Sequence, residues 1–156
     1  VIHQTVLTFT ATPLTLADAT VGAGVKVYDF PAGRINILGA VGSIAMTVTS
    51  ALATTLNASS TYNWGLGTTT QANGTLATTE QNILTTANGT SSATINVAGA
   101  AAVGGVAASA GNLDGTGTAI DAYLNIGIAA ATDIDGDATV TLTGTVTITW
   151  VYEGDQ

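Results

Sequence analysis

Polar and apolar residues alternate with a period of two along much of this chain. The pattern is clearest in ATVTLTGTVTITW, residues 138–150, where six threonines alternate with apolar residues and one glycine. β-Branched residues at this period predict a long strand with one buried face. Gly144 interrupts the apolar set, which predicts a bulge or a close neighbour. Residues 5–11 alternate in the same way, and we expect the two terminal strands to pair.

The same pattern predicts six further strands, which brings the total to about eight. The segments are VKVYDF (25–30), RINILGA (34–40), SIAMTVTS (43–50), TYNWGL (61–66), ATINVAG (93–99) and AIDAYLNIGIA (119–129). Eight short strands are typical of an antiparallel β-sandwich or a jelly roll. The sequence therefore predicts one all-β domain over residues 1–156, an antiparallel β-sandwich of jelly-roll type.

The central part of the chain carries weaker signals. Residues 51–118 are rich in Thr, Ala, Gly, Asn and Ser, which predicts long loops and short strands. TTEQNIL, residues 78–84, has the one helical pattern, and it supports one or two turns with Ile83 and Leu84 docked on the core.

Composition narrows the classes of function. The chain has ten acidic and two basic residues, a net charge of −8 and no cysteine. Binding to a phosphate backbone needs many Lys and Arg, so nucleic acid is not an expected partner. The most apolar window, residues 98–108, is too short to span a bilayer, and no membrane association is expected. Without disulfides, the core alone has to stabilise the fold.

Catalytic residues are not evident in the sequence. A hydrolytic triad needs a positioned histidine, and the single one, His3, lies next to the N-terminus of the chain. Most carboxylates adjoin glycine or lie in turn-like sequence, where turn formation explains them. We therefore expect no catalytic residue, no cofactor and no enzymatic activity.

One segment has the character of a metal site. DIDGD, residues 133–137, spaces Asp133, Asp135 and Asp137 as in a calcium loop, but the position of the closing glutamate is occupied by Gly144. An acidic turn is the favoured interpretation, and no metal site is predicted. NLDGTG, residues 112–117, is interpreted as an Asx-type turn before a strand.

Both cations of the chain lie within VKVYDFPAGRINILGA, residues 25–40. Pro31 fixes its own φ and Gly33 can adopt a positive one, which predicts a tight β-hairpin with Lys26 and Arg34 facing each other. These cations either pair with acids such as Asp29 or form one positive patch for a partner protein. On the second interpretation the predicted partner contacts are Lys26, Arg34, Phe30 and Pro31.

Three blocks of the sequence resemble a protein family. They are VKVYDFPAGRINILGA (25–40), DGTGTAIDAYLNIGI (114–128) and TVTLTGTVTITWVYEGD (139–155), and they are similar to small virion structural proteins of tailed bacteriophages, of the capsid cement or decoration type. The resemblance implies a β-sandwich or jelly roll that binds the major capsid protein on the outer surface of the shell, after assembly in the host cytoplasm. It carries over no defined binding residues.

Two functions from different classes follow. The first is a non-enzymatic virion protein that stabilises a capsid and self-associates as a dimer or trimer, since many weak contacts add up on a lattice. The alternative is an extracellular adhesion or carbohydrate-binding β-sandwich. It would use exposed aromatic rings as stacking platforms, and the candidates are Tyr62, Trp64, Tyr123, Trp150 and Tyr152.

Overall fold

A computed structural model describes residues 1–49, 61–90, 111–128 and 137–155 of the chain. These residues form eight strands and one 3₁₀ turn, Thr78–Glu80. The strands are β1 (Ile2–Leu16), β2 (Gly22–Asp29), β3 (Gly33–Thr49), β4 (Thr61–Gly67), β5 (Leu84–Thr90), β6 (Asn112–Gly115), β7 (Asp121–Ile128) and β8 (Ala138–Gly154). The predicted strand at 93–99 lies outside the described residues.

The strands form two four-stranded antiparallel sheets. The first sheet has the order β1-β8-β3-β6 and the second has the order β2-β7-β4-β5. At the sides of the sandwich, β1 lies against β2 and β3 approaches β5. The predicted all-β sandwich is confirmed, and so is the pairing of the terminal strands, in which Ile2 lies opposite Val151 and Leu16 opposite Ala138.

Inward-facing side chains of both sheets form one hydrophobic core. In β8 the apolar residues at alternate positions are buried, while the threonines between them are exposed or half-buried, as their period predicts. The largest fully buried side chains of the core are Trp64, Phe30, Leu16, Ile35, Ile44, Met46, Leu66, Ile83, Leu84, Leu124 and Ile126. Full burial of each stabilises the fold by about 1.5–3 kcal/mol, so this core can replace disulfides.

Gly144 has both properties that the sequence predicts. Its φ is +148°, and a Cβ at this position would lie 2.1 Å from the Ser43 carbonyl oxygen. The β1–β8 register shifts just beyond its partner Phe9, where Ala11 adopts a φ of 49°. The long terminal strands are therefore bent at a bulge, and only glycine fits beside β3.

Buried polar side chains attach the loop between β4 and β5 to the second sheet. Asn125 accepts a hydrogen bond from the Gln71 N–H and donates to the Thr69 and Glu80 carbonyls. Asn63 donates to the carbonyls of Gly74 and Gly127. The predicted helical segment is a single 3₁₀ turn, within the one or two turns expected, and Ile83 and Leu84 dock on the core as predicted.

Glu80 is buried within that loop and is 4% exposed. Its carboxylate accepts hydrogen bonds from the backbone N–H groups of Ala72, Asn73 and Ala77 and from the Asn73 side chain. Burial alone raises the pKa of this carboxyl group, but the hydrogen bonds together outweigh it and the pKa is lowered. The ionised carboxylate therefore organises residues 72–80.

Candidate functional site

The predicted hairpin at FPAG is wrong, because the two strands it joins belong to different sheets. β2 lies in the second sheet and β3 in the first, so residues 30–32 cross from one sheet to the other. Residues 116–120 make a second crossing, from β6 to β7, beside the first. The Phe30 N–H donates a 2.9 Å hydrogen bond to the Ile120 carbonyl and joins the two crossings. We call residues 29–34, 114–121 and 152–154 the crossover end.

The end of β8 closes this group of segments. The Tyr152 hydroxyl donates a 2.9 Å hydrogen bond to the Ala32 carbonyl. A Cβ on Gly33 would lie 2.6 Å from the Tyr152 ring, and Gly33 has a φ of +123°, the positive value that the sequence predicts. The three sequence blocks that resemble the phage family therefore meet at the crossover end.

Lys26 is held between two carboxylates. Its Nζ contacts Asp29 Oδ1 and lies 3.1 Å from Asp121 Oδ1 on β7. The hydrogen bonds with Asp29 and then Asp121 raise the pKa of Lys26 to about 12. Of the two interpretations of Lys26, the structure shows the intramolecular pair, and the positive charge is largely neutralised locally.

Arg34 is placed differently, and the two cations do not face each other. Arg34 lies opposite Asp114 in the β3–β6 pair, and its side chain is exposed. Among the described residues no carboxylate lies within ion-pair distance of it. Hydrogen bonds from the Thr116 hydroxyl and N–H lower the pKa of Asp114, and the charge of Arg34 lowers it further to a smaller extent.

The two other predicted contacts differ in exposure. Phe30 is 2% exposed and packs edge-on against Trp150 and Tyr28, with ring centroids 5.2 and 4.9 Å apart. Its side chain therefore belongs to the core. Pro31 is exposed next to it. The accessible residues of the predicted contact set are Arg34, Pro31 and Lys26, and the charge of Lys26 is largely neutralised by Asp29 and Asp121.

Two open depressions adjoin the crossover end, and both include Asp114. The smaller, about 230 Å³, is lined by Arg34, Asn112, Leu113, Asp114 and Glu153. The larger, about 630 Å³, is lined by Thr68, Asp114, Asp121, Tyr123 and residues 116–120. Sequence reasoning missed both. The smaller combines β3, β6 and β8, which are neighbours only in the folded sandwich, and the larger is a stretch of 114–123 that no local pattern marks as concave, joined by Thr68.

The aromatic residues offer few stacking platforms. Trp64 and Trp150 are buried, at 1% and 4% exposure. Tyr123 is half-buried and its hydroxyl donates to Asp121 at 3.2 Å, whereas Tyr152 is 38% exposed. The side chain of Tyr62 lies outside the described part of the structure. The carbohydrate-binding alternative therefore loses two of its five candidate platforms.

The other residues considered as catalytic or metal-binding candidates make contacts of a structural kind wherever they are described. The ring of His3 stacks on Trp150 with centroids 4.5 Å apart. Asp137 Oδ1 accepts a 2.8 Å hydrogen bond from the Asp18 N–H, while Asp133 and Asp135 lie outside the described residues. Asp114 accepts from Thr116, which confirms the Asx-type turn, although β6 begins before it. Within the described ranges, no three His, Cys, Asp or Glu residues form a metal-binding cluster.

Comparison of the sequence with protein-family models and with curated protein sequences finds no match. Over the residues that the structure describes, no helix is long and apolar enough to cross a bilayer.

Proposed function

We propose that the chain is a non-enzymatic decoration protein of a tailed-phage capsid, which binds the major capsid protein on the outer surface of the shell and stabilises it. One observation carries the proposal: the three blocks that resemble this family come from distant parts of the chain and meet at one end of the sandwich. The proposal includes self-association as a dimer or trimer on the lattice.

The topology supports a jelly roll as the finer fold of this protein. The antiparallel pairs β1–β8, β2–β7, β3–β6 and β4–β5 are nested, as when the first four strands fold back on the last four and wrap around a core. We infer a jelly roll from this nesting. Capsid and lectin domains use this arrangement, so it favours both candidate functions and does not choose between them.

The surface chemistry of the crossover end favours attachment to a protein. Arg34 is an exposed guanidinium that can bind a carboxylate or backbone carbonyls of a partner with two parallel hydrogen bonds. Pro31 supplies an uncharged surface next to it, and the small depression beside Arg34 adds the apolar Leu113 together with the carboxylates of Asp114 and Glu153. Lys26 is already satisfied by Asp29 and Asp121 and is a weaker candidate.

The difference between the two cations provides a matched test. We expect Arg34→Gln to reduce co-sedimentation with phage heads that lack the protein. The melting temperature should stay nearly unchanged, because an exposed arginine with no ion pair among the described residues contributes little to stability. Lys26→Gln should lower the melting temperature, because it leaves Asp29 beside Asp121, and should bind heads nearly as well as the unaltered protein.

The salt dependence of attachment and the co-sedimentation of the variants with heads can each contradict the proposal. Attachment through Arg34 should weaken as the salt concentration rises, because screening acts on exposed charges. If the unaltered protein does not co-sediment with the heads, the proposed function is wrong. If it binds and Arg34→Gln binds equally well, the crossover end is not the attachment surface.

A further inference from the structure

The outer edge of β1 is the feature that suggests a second interaction surface. β1 pairs with β8 on one side, and among the described residues no strand pairs with its other side. The connection from β1 to β2 is described, whereas the stretches outside the described ranges join β3 to β4, β5 to β6 and β7 to β8. Alternate N–H and C=O groups along this edge therefore face away from the sheet.

Among the described strands, two of the three other edge strands, β6 and β2, are protected against pairing, and β1 differs from them. β6 is only four residues long. β2 carries Lys26 and Asp29, and its register with β7 shifts between Lys26 and Tyr28. Short strands, charged side chains and irregular register are the usual means by which proteins prevent edge-to-edge association.

The first half of β1 has none of these protections. Residues 2–9 pair with β8 in unbroken register, and they contain no Asp, Glu, Lys, Arg, Gly or Pro. Ile2 and Val6 are 67% and 57% exposed on the outer face of the sheet. The bulge at Ala11 and the following Pro13 limit the regular edge to these eight residues.

We propose that residues 2–9 of two copies of this chain pair antiparallel about a two-fold axis and join the two sheets into one continuous eight-stranded sheet. An antiparallel pair of identical strands is self-complementary, and each copy would pair the backbone groups of β1 that no described strand of the other copy pairs. Exposed β-branched side chains such as Val6 then gain cross-strand neighbours.

Charge argues for a second copy as the occupant. The chain has a net charge of −8, but its first 17 residues contain no acidic side chain. Two acidic molecules can therefore meet at this edge with their carboxylates kept apart. Charged partners gain little here, because residues 2–9 contain no Asp, Glu, Lys or Arg.

This inference rests on the self-association part of the proposed function and not on capsid attachment. A dimer formed through β1 that does not bind heads would contradict decoration alone. A monomer that binds heads would contradict the inference and the self-association on which it rests, but not capsid attachment. The two results are separable because the test of the dimer uses only the purified full chain.

The first experiment compares two charge-matched variants by sedimentation velocity. Gln4→Lys with Val6→Lys places two cations per copy at the proposed seam, and the variant should be a monomer where the unaltered protein is a dimer. Val41→Lys with Ser43→Lys adds the same charge to exposed positions of the same face, but on β3, two strands away from the edge. This control should remain a dimer.

Circular dichroism must show the same β spectrum for both variants, so that a loss of association is not a loss of fold. A monomeric unaltered protein overturns the inference. The inference is also overturned if the control variant with lysines on β3 dissociates to the same extent, since that would place the interface on the face of the sheet.

The second experiment uses the absence of cysteine from the chain. Single variants Gln4→Cys, Val6→Cys and Thr8→Cys are oxidised alone and in pairs, and the disulfide-linked dimer is measured on non-reducing gels. Only positions opposite each other across the axis come within the 4.4–6.8 Å that a disulfide allows between Cα atoms. One position or one pair should therefore dominate, and equal yields throughout, or an equal yield from Val41→Cys, would contradict the proposal.

Discussion

Glu80 illustrates how a single side chain can organise a loop that has little secondary structure. Its carboxylate accepts hydrogen bonds from three backbone N–H groups and one amide side chain within residues 72–77. Hydrogen bonds from several N–H groups stabilise the ionised form and offset the cost of burying it. Protonation of Glu80 would therefore remove the acceptor on which this loop depends.

We predict that Glu80→Gln lowers the free energy of unfolding by about 1–3 kcal/mol at neutral pH, because the amide replaces one acceptor oxygen by a donor facing N–H groups. Urea unfolding measures the loss. Glu153→Gln, at an exposed position, should change stability by less than about 0.5 kcal/mol.

The same residue predicts a dependence on pH. The folded protein binds the proton of Glu80 at a lower pH than the unfolded chain, whose pKa is close to the ordinary value of 4.5. In the window between those two values the unfolded chain holds more protons, so stability rises with pH. The contribution is complete above the ordinary pKa and is lost as the pH falls through the lower, folded value. The difference between the unaltered protein and Glu80→Gln should therefore shrink as the pH falls below 4.5, and a constant difference would contradict this assignment.

Of the side-chain contacts in this structure, only those between residues close in sequence could be predicted from the sequence. Asp29 lies three residues from Lys26, and the sequence suggests their pairing. Asp121, the second partner of Lys26, is brought to it by the β2–β7 pair. The contacts of Asn125 with Thr69 and Gln71 likewise join residues more than fifty positions apart. No local pattern marks such contacts, because they depend on strand order.

At the scale of the elements, periodicity predicted strands better than turn residues predicted their pairing. The alternation in residues 138–150 indicates β8 because a half-buried strand requires it. Pro31 and Gly33 indicate a sharp change of direction, but this change carries the chain to the other sheet as readily as to a neighbouring strand. The four residues of β6 are too few to show a period. The sequence predicts two strands, at 34–40 and 43–50, where the structure has the single strand β3. Gly42 lies between the two predicted strands, and a Cβ there would lie 2.8 Å from Val146.

The bulge in the terminal strands gives a prediction at this scale. Gly144→Ala should destabilise the protein by at least about 1–3 kcal/mol, since alanine is strained at a φ of +148° and its Cβ meets the Ser43 carbonyl. Thermal unfolding checks this. The matched control is Gly117→Ala, where a Cβ meets nothing within 4 Å and the change should stay within about 0.5 kcal/mol. Similar effects of both substitutions would contradict the role assigned to the bulge.

At the scale of the whole molecule, we expect stability to come from the core without a bound ion. The sequence predicts an acidic turn at residues 133–137, and Asp137 caps the Asp18 N–H. EDTA should leave the melting temperature unchanged, and added calcium should not raise it. An ion present at a hundred times its dissociation constant would add about 2.7 kcal/mol, and a rise of that size on calcium addition would identify a metal site.

The pairing of the first and last strands has a practical consequence for displaying cargo on a shell. Ile2 and Gly154 both lie at the end of the sandwich that presents Arg34. The turn at residues 17–21 follows the other end of β1, about 45 Å from Ile2 as measured along the strand at the usual rise per residue. If Arg34 faces the capsid, a peptide fused to either end of this sequence would be trapped between protein and shell. A peptide inserted at residues 17–21 would point outward into solvent.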